Sequence, residues 1–315
     1  MEKSTFLAIN SEIILKVPGK PSPPPAIKTT RLSCGIPYFS LKAFFSCSEI
    51  FSGLKISISA EFGITVMSFS TPISLRKLEN EIIKLKLGDG IITFFDDLIK
   101  VSIRQFFGIE INDFAVTVAR TALWIAESQM MKETEEIINA NLNFLPLKSY
   151  ANIIEGNALS INWETVCPKE KLSYIMGNPP FIGGMMMTKD QKSEMEHVLG
   201  DMKGVGEMDY VAAWYYKAAE IIDGTKINVA FVSTNSICQG QQAVTLWKPL
   251  FEKGIKINFA YRSFIWDSEA KVKARVHCVI VGFAKYNKLR KVLYDNDLVR
   301  YVYNINSYLS DAPNI

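Results

Sequence analysis

The sequence predicts an α/β fold in which helices cover both faces of a doubly wound, mostly parallel sheet. From Ser74 onward, short apolar runs alternate with segments of helical periodicity, which is the pattern of successive strand–helix–strand units. The helical segments are long enough to cross from the end of one strand to the start of a parallel neighbour. Of the 315 residues, 48% are hydrophobic, so the chain can fill one large core or two smaller ones.

Local periodicity predicts the individual elements in order. The first is a helix at Ser74–Leu87, whose apolar side chains at every third or fourth position share one face and whose N-cap is Ser74. Apolar runs predict strands at Phe106–Ile111, Asn152–Glu155, Leu172–Met176, Ile227–Ser233, Ile255–Tyr261 and Val276–Ala284. Between them, amphipathic segments predict helices at Asp113–Met131, Glu207–Ile222 and Gln241–Lys253.

Residues 1–73 differ from the rest in composition, and we assign them to a separate, atypical segment. They are rich in serine, contain no Asp and include the proline-rich stretch Pro18–Pro25, which favours an extended linker. The apolar runs Lys55–Ala60 and Ile64–Phe69 are candidate strands. This segment has seven Lys or Arg and four Glu, whereas the 28 basic and 28 acidic residues of 74–315 cancel.

Composition also excludes several classes of protein. The five cysteines have no paired spacing, and neither a CxxC nor an HxxxH pattern occurs, so we expect no metal site. No uncharged run reaches the roughly 18–20 residues of a membrane span, and the start of the chain lacks a secretory signal. The sequence therefore predicts a cytoplasmic protein that has no membrane partner.

Polar residues that follow strands are candidates for a ligand site, because such sheets bind ligands beyond the carboxyl ends of their strands. Glu110 ends the first predicted strand, where a carboxylate can accept hydrogen bonds from a ribose diol. The alternative is a solvated glutamate, or one that caps the helix beginning at Asp113. Asn157 follows the next strand and can bind an adenine edge, although a Gly-Asn turn that tolerates positive φ explains it equally well.

The segment Gly177–Phe181 (GNPPF) is the most specific signal in the chain, and it directly follows a predicted strand. Two consecutive prolines force an extended, rigid loop. The Asn178 side-chain oxygen and the Pro179 carbonyl together can accept both hydrogens of an amino group. Phe181 offers a flat face on which a planar base can stack. A structural loop could carry the same residues by chance, but the position at the end of a strand favours a functional site.

These residues resemble a known family. Gly177–Phe181 resembles the catalytic motif of S-adenosylmethionine-dependent amino-methyltransferases. Phe107–Asn112 and the following helix resemble the ribose-binding motif of the gamma-class DNA N6-adenine methyltransferases. Three further blocks resemble that family's later motifs in the expected order, namely Met208–Glu220, Val229–Ile237 and Phe264–Phe283. The resemblance is to the large methylases of combined restriction–modification and phage-defence enzymes, and it covers Ser74–Ile315.

The resemblance implies a Rossmann-like methyltransferase sheet with an antiparallel last strand, and methyl transfer from the cofactor S-adenosylmethionine to adenine N6. The partner is double-stranded DNA, from which the adenine is flipped. By the resemblance, the catalytic residues are Asn178, Pro179, Pro180 and Phe181, and the cofactor-binding residues are Glu110, Ile111, Asn157 and Ala158. Phe264 and Trp266 line the base pocket, or else pack as ordinary hydrophobic residues near a hairpin. The catalytic domain spans residues 74–290.

The chain departs from this family at both ends. The family's first strand leads into an acidic-Pro dipeptide and a Gly-x-Gly loop that holds the methionine part of the cofactor. Residues 1–73 contain only isolated glycines, and the glycine-loop strand is therefore expected to be replaced. We interpret Gly88–Gly90 as a helix C-cap and turn. Residues 291–315 are expected to begin a missing target-recognition domain. The chain is thus expected to be an inactive fragment that has lost a specificity or nuclease domain.

Two other functions fit the sequence. Methyltransferases that act on a protein glutamine or an RNA amino group share the Asn-Pro-Pro-Phe/Tyr motif, but they are generally smaller and lack the block Trp266–Arg275. A non-catalytic remnant or interaction subunit belongs to a different class, and the missing glycine loop favours it for this chain.

Overall fold

The computed structural model describes residues 6–9, 65–88, 99–142, 152–200, 202, 204–267, 275–296 and 298–314. These residues contain nine strands: β1 (Phe6–Ile9), β2 (Phe106–Glu110), β3 (Asn152–Glu155), β4 (Tyr174–Gly177), β5 (Asn228–Thr234), β6 (Lys256–Asp267), β7 (Arg275–Ala284), β8 (Lys291–Asp295) and β9 (Leu298–Val302). They also contain six α-helices: α1 (Thr65–Gly88), α2 (Asp113–Ile138), α3 (Trp163–Val166), α4 (Lys189–Leu199), α5 (Ala212–Ile221) and α6 (Gly240–Glu252).

All the described strands belong to one sheet, in the order β3-β2-β1-β4-β5-β7-β6-β8-β9. The five strands from β3 to β5 are parallel, and β7 is antiparallel to both of its neighbours. Beyond β6, β8 is parallel and β9 antiparallel. The predicted Rossmann-like sheet, mostly parallel with antiparallel strands at one end, is confirmed.

The sheet is buried on both faces. Because successive side chains of a strand point to opposite sides, Val229 and Phe231 of β5 enter one core cluster, while Ala230 and Val232 enter another. The larger cluster contains the fully buried side chains of Trp214, Tyr215 and Trp247 from α5 and α6. Elsewhere, α1 packs against α2 through a polar contact in which Thr134 receives a hydrogen bond from buried Arg76 and donates one to buried Asn80.

The N-terminal part of the sheet differs from the sequence prediction. The run Ile64–Phe69 is not a strand, because α1 begins at Thr65, and Ser74 therefore lies inside that helix rather than at its N-cap. The central position between β2 and β4 is occupied by Phe6–Ile9, which is hydrogen-bonded in parallel to both neighbours. The central position of the sheet is thus held by a segment that the sequence did not predict to be a strand. The candidate strand Lys55–Ala60, the proline-rich stretch Pro18–Pro25 and most of the turn Gly88–Gly90 lie outside the described residues.

The other predicted elements lie within a few residues of the observed ones. The main exceptions are α2, which continues to Ile138, α5, which begins at Ala212 rather than Glu207, and β6, which continues to Asp267. Five of the strands and α-helices named above were not predicted: β1, α3, α4, β8 and β9. Because β8 and β9 extend the sheet, residues 291–302 continue the same layer. Their assignment to the start of a target-recognition domain stays a prediction.

Candidate active site

The three predicted site segments lie at the same edge of the sheet. Glu110 is paired in register with Glu155, and Ile9 of the central strand pairs with both Ile109 and Gly177. The carboxyl ends of β2, β3 and β4 are therefore aligned. The loop after β3 is tied directly to β2, because the Gly156 amide donates to the Glu110 carbonyl at 2.8 Å.

Glu110 is 3% exposed, so the solvated alternative is wrong. It is not the N-cap of α2 either, because that position is Asn112, whose side-chain oxygen accepts the Ala115 amide at 3.0 Å. The Glu110 carboxylate accepts the Asn112 amide at 3.2 Å. The next residue, Ile111, is 45% exposed and lies at the surface beside this carboxylate. A buried carboxylate at a strand end is placed where a ligand's hydroxyl groups can reach it.

Asn157 organises the loop that follows β3. Its Oδ1 accepts the Leu159 amide at 2.9 Å, and its Nδ2 donates to Glu194 at 2.6 Å. The positive φ that the alternative interpretation required falls on Gly156 (φ 151°) and not on Asn157. L side chains rarely adopt this φ, so the turn favours glycine there, and a Cβ would also lie 2.3 Å from Ile161 Cδ1.

Two further side chains bind the same loop, the buried indole of Trp163 and the half-buried amine of Lys217. Ala158 is 2% exposed, and its carbonyl accepts the indole N–H of Trp163 at 2.8 Å. Lys217 Nζ, on α5, donates to the carbonyls of Leu159 and Ile161 at 2.5 and 2.6 Å. Burial lowers the pKa of Lys217 to about 8. These contacts hold residues 156–161, the predicted cofactor loop, in place.

Asn178 follows β4 directly and is 7% exposed. Its Oδ1 is buried and accepts no hydrogen bond from any of the described residues. Leaving such an acceptor unsatisfied costs about 1–3 kcal/mol, which a donor from a ligand would recover. Pro179 is buried, while Pro180 and Phe181 are partly buried. The acceptor side chain and the following proline carbonyl are thus adjacent at the end of a central strand.

The loop that carries Asn178 rests on a second segment, residues 206–210. The Tyr210 amide donates to the Ile182 carbonyl at 2.9 Å. A Cβ at Gly184 would lie 3.0 Å from the Met208 carbonyl, so the two segments approach each other closely. Buried Asp209 fixes the second segment to the end of β5 and the start of α6. Its carboxylate accepts hydrogen bonds from Thr234 and Gln242, both at 3.1 Å, and from Ser236.

Glu194, on α4, links the cofactor loop to this support. One carboxylate oxygen accepts from Asn157, and the other accepts from the Tyr210 hydroxyl. Sequence reasoning missed Glu194 because α4 was not predicted. A signal was present, since Thr188 and Gln191 form the Thr-x-x-Gln pattern of a capping box, and the structure contains both of its hydrogen bonds.

The predicted base pocket is only partly described. Phe181 and Phe264 pack against the same core cluster, and Phe264 lies edge-on to Tyr261 at 5.3 Å. This arrangement is compatible with a pocket wall and with ordinary packing. Trp266 lies on β6 opposite Val276, and its side chain is outside the described residues. The pocket stays a prediction.

A family model, a protein sequence and a solved structure match this chain, and the three matches agree. Residues 66–295 match the family model described as "MmeI, DNA-methyltransferase domain". Over 219 residues the chain is 44% identical to DNA methyltransferase A of Bacillus subtilis (strain 168), a match that covers 68% of this chain and 25% of that protein. The solved structure of the type IIL restriction-modification enzyme MmeI in complex with DNA is 39% identical, with a TM-score of 0.73. That match covers 78% of this chain and 34% of the MmeI chain.

The chain therefore spans about a quarter to a third of the length of these two relatives. Within the described part of the chain, no helix is both long and apolar enough to cross a membrane.

Proposed function

The chain belongs to the MmeI DNA-methyltransferase domain family, and we propose that it is the methyl-transferring part of a restriction–modification enzyme that acts on adenine N6 in DNA. The observation that carries this proposal is the buried, unsatisfied Asn178 Oδ1 beside the Pro179 carbonyl. DNA as the substrate is supported by the names of the two relatives, one a DNA methyltransferase and the other bound to DNA.

Two adjacent acceptors suit an amino group because an amino group has two hydrogens to donate. Adenine N6 is a poor nucleophile, since its lone pair is delocalised into the ring. When Asn178 Oδ1 and the Pro179 carbonyl accept both hydrogens, they favour a more tetrahedral nitrogen with a localised lone pair. Their positioning and electrostatic effect supply the rate enhancement. Phe181 stacks on the base once it has left the duplex, a step that costs a few kcal/mol.

S-adenosylmethionine would supply an electrophilic methyl group on a sulfonium. The described residues fit its adenosine half. Buried Glu110 stands where a ribose diol can donate to its carboxylate, and Asn157 Oδ1 keeps one lone pair beyond its bond to Leu159. Ala158 and Ile111 flank these two side chains in the sequence.

The fit does not extend to the methionine half of the cofactor. The family holds it with a Gly-x-Gly loop, and no Gly-x-Gly occurs in residues 1–73. This departure supports a second function for the chain as it stands, a remnant that keeps the fold and the adenosine site but transfers no methyl group. A methyl-transfer assay on the chain as it stands distinguishes the two functions, because only a functional catalytic domain transfers a methyl group without the added loop.

The test uses a longer chain to which the family's glycine loop and a target-recognition domain have been added. Asn178→Ala should abolish methyl transfer to DNA and leave cofactor affinity nearly unchanged, because Asn178 faces the amino group and not the ribose. Asn178→Asp, which keeps an acceptor, should retain part of the activity. Transfer is measured with tritiated cofactor, and affinity by calorimetry. Loss of cofactor binding in step with activity in Asn178→Ala would contradict the assigned role.

A further inference from the structure

We propose that Glu194 is a positioning residue that makes the cofactor loop selective for a 6-aminopurine, by holding the amide of Asn157 in one orientation. The inference rests on the proposed function, because it concerns the base of the proposed cofactor. It assigns a role in specificity to a side chain on α4, a helix outside the strand ends that carry Glu110, Asn157 and Asn178.

The orientation of the Asn157 amide is set by two partners of opposite character. Glu194 is a carboxylate and only accepts hydrogen bonds, so the group that faces it at 2.6 Å is the Nδ2 amino group. The Leu159 amide only donates, so the group that faces it at 2.9 Å is Oδ1. Asn157 therefore presents an oxygen, with one lone pair still available, on the side away from Glu194.

The Tyr210 hydroxyl keeps Glu194 in its accepting role. Burial, together with the hydrogen bond to Glu194, raises the pKa of Tyr210, so the phenol stays protonated and donates. The carboxylate is thus bound through both oxygens, one by Asn157 and one by Tyr210. The helix that carries it is anchored by the buried side chains of Met195 and Leu199. Glu194 is therefore fixed in position.

An acceptor at Asn157 discriminates between purines. The 6-amino group of adenine donates to Oδ1, whereas hypoxanthine places a carbonyl oxygen at the same position, and the two acceptors repel. Glu194→Gln weakens this constraint, since the new side chain can turn either an oxygen or an amino group toward Asn157. The amide orientation then rests on Leu159 alone, and the preference for adenine should weaken.

The experiment compares two nucleosides that lack the amino-acid part of the cofactor and so need no glycine loop. Binding of 5′-methylthioadenosine and 5′-methylthioinosine to the full chain is measured by calorimetry. The unmodified chain should prefer the adenosine compound by about tenfold or more. In Glu194→Gln the ratio should fall toward one. Glu196→Gln, an exposed glutamate on the same helix, is the matched control and should keep the ratio.

Each outcome decides a different question. A preserved ratio in Glu194→Gln, with an unchanged melting temperature, overturns the proposal. Equal binding of both compounds by the unmodified chain also overturns it, but leaves the cofactor site intact. Binding of neither compound overturns the cofactor site itself, and with it the proposed function. If Glu194→Gln does not fold, Tyr210→Phe is tested instead, because it removes the hydrogen bond to one Glu194 carboxylate oxygen. An unchanged ratio of the two affinities in Tyr210→Phe would count against the proposal.

Discussion

Asn178 and Glu110 are polar side chains that the fold holds away from water at the carboxyl ends of two parallel strands, β4 and β2, which flank β1. They are 7% and 3% exposed. Burying a polar group costs free energy unless it is hydrogen-bonded, so a natural chain retains such groups where they have a use. The Asn178 oxygen, unsatisfied among the described residues, is suited to an amino group, and the Glu110 carboxylate to a diol.

Replacing Glu110 tests the ribose side of the site. Glu110→Ala should weaken the binding of 5′-methylthioadenosine by about 1.5–3 kcal/mol, because charge-assisted hydrogen bonds to the ribose are lost. Calorimetry on the full chain measures the change. The control is Glu155→Ala, which removes the exposed glutamate paired in register with Glu110. Unchanged affinity in Glu110→Ala, or an equal loss in the control, would remove Glu110 from the site.

The helix α4 is stabilised both by packing and at its N-terminus. Two of its eleven residues, Met195 and Leu199, are buried in the core. Its N-terminus has a complete capping box, in which the Thr188 hydroxyl accepts the Gln191 amide at 3.2 Å and the Gln191 side chain accepts the Thr188 amide at 3.0 Å. Local hydrogen bonds therefore hold the helix that carries Glu194.

Thr188→Ala should lower the free energy of unfolding by about 1 kcal/mol, because the Gln191 amide at the start of α4 loses its side-chain acceptor. Chemical denaturation measures it. Thr121→Ala serves as the control, since this exposed threonine lies within α2 and its hydroxyl bonds only the carbonyl one turn earlier. Alanine is the better helix former there, so stability should be unchanged or slightly higher. Equal losses at the two positions would argue against the capping role.

The small net charge of the molecule would limit its affinity for DNA. The net charge is +3, all of it from residues 1–73, while the basic and acidic residues of 74–315 balance. Phosphate contacts dominate the affinity of proteins for DNA. Between β1 and α1, where the family holds the methionine part of its cofactor, residues 10–64 contain no Gly-x-Gly.

The chain as it stands should therefore transfer no methyl group to DNA. It should bind S-adenosylmethionine weakly, and no more tightly than 5′-methylthioadenosine, because nothing holds the methionine end. Methyl transfer is lost because small misplacements of the methyl group lower the rate steeply. Calorimetry and a tritiated-methyl assay on mixed-sequence DNA measure both expectations. Micromolar binding of the cofactor, or transfer that disappears in Asn178→Ala, would show that residues 10–64 rebuild the site.

The sequence alone determined the parallel sheet, most of its strands and the proline-containing loop after β4. Apolar periodicity reports which face of each element is buried, and the prolines after Asn178 constrain their own loop. Only the tertiary structure decided that Phe6–Ile9 lies between β2 and β4, and that Glu194 reaches Asn157. A strand of four residues forms only where neighbouring strands supply backbone hydrogen-bond partners, and the role of a carboxylate depends on which donors lie near it. In both cases the partners are distant in the sequence, and the fold brings them close.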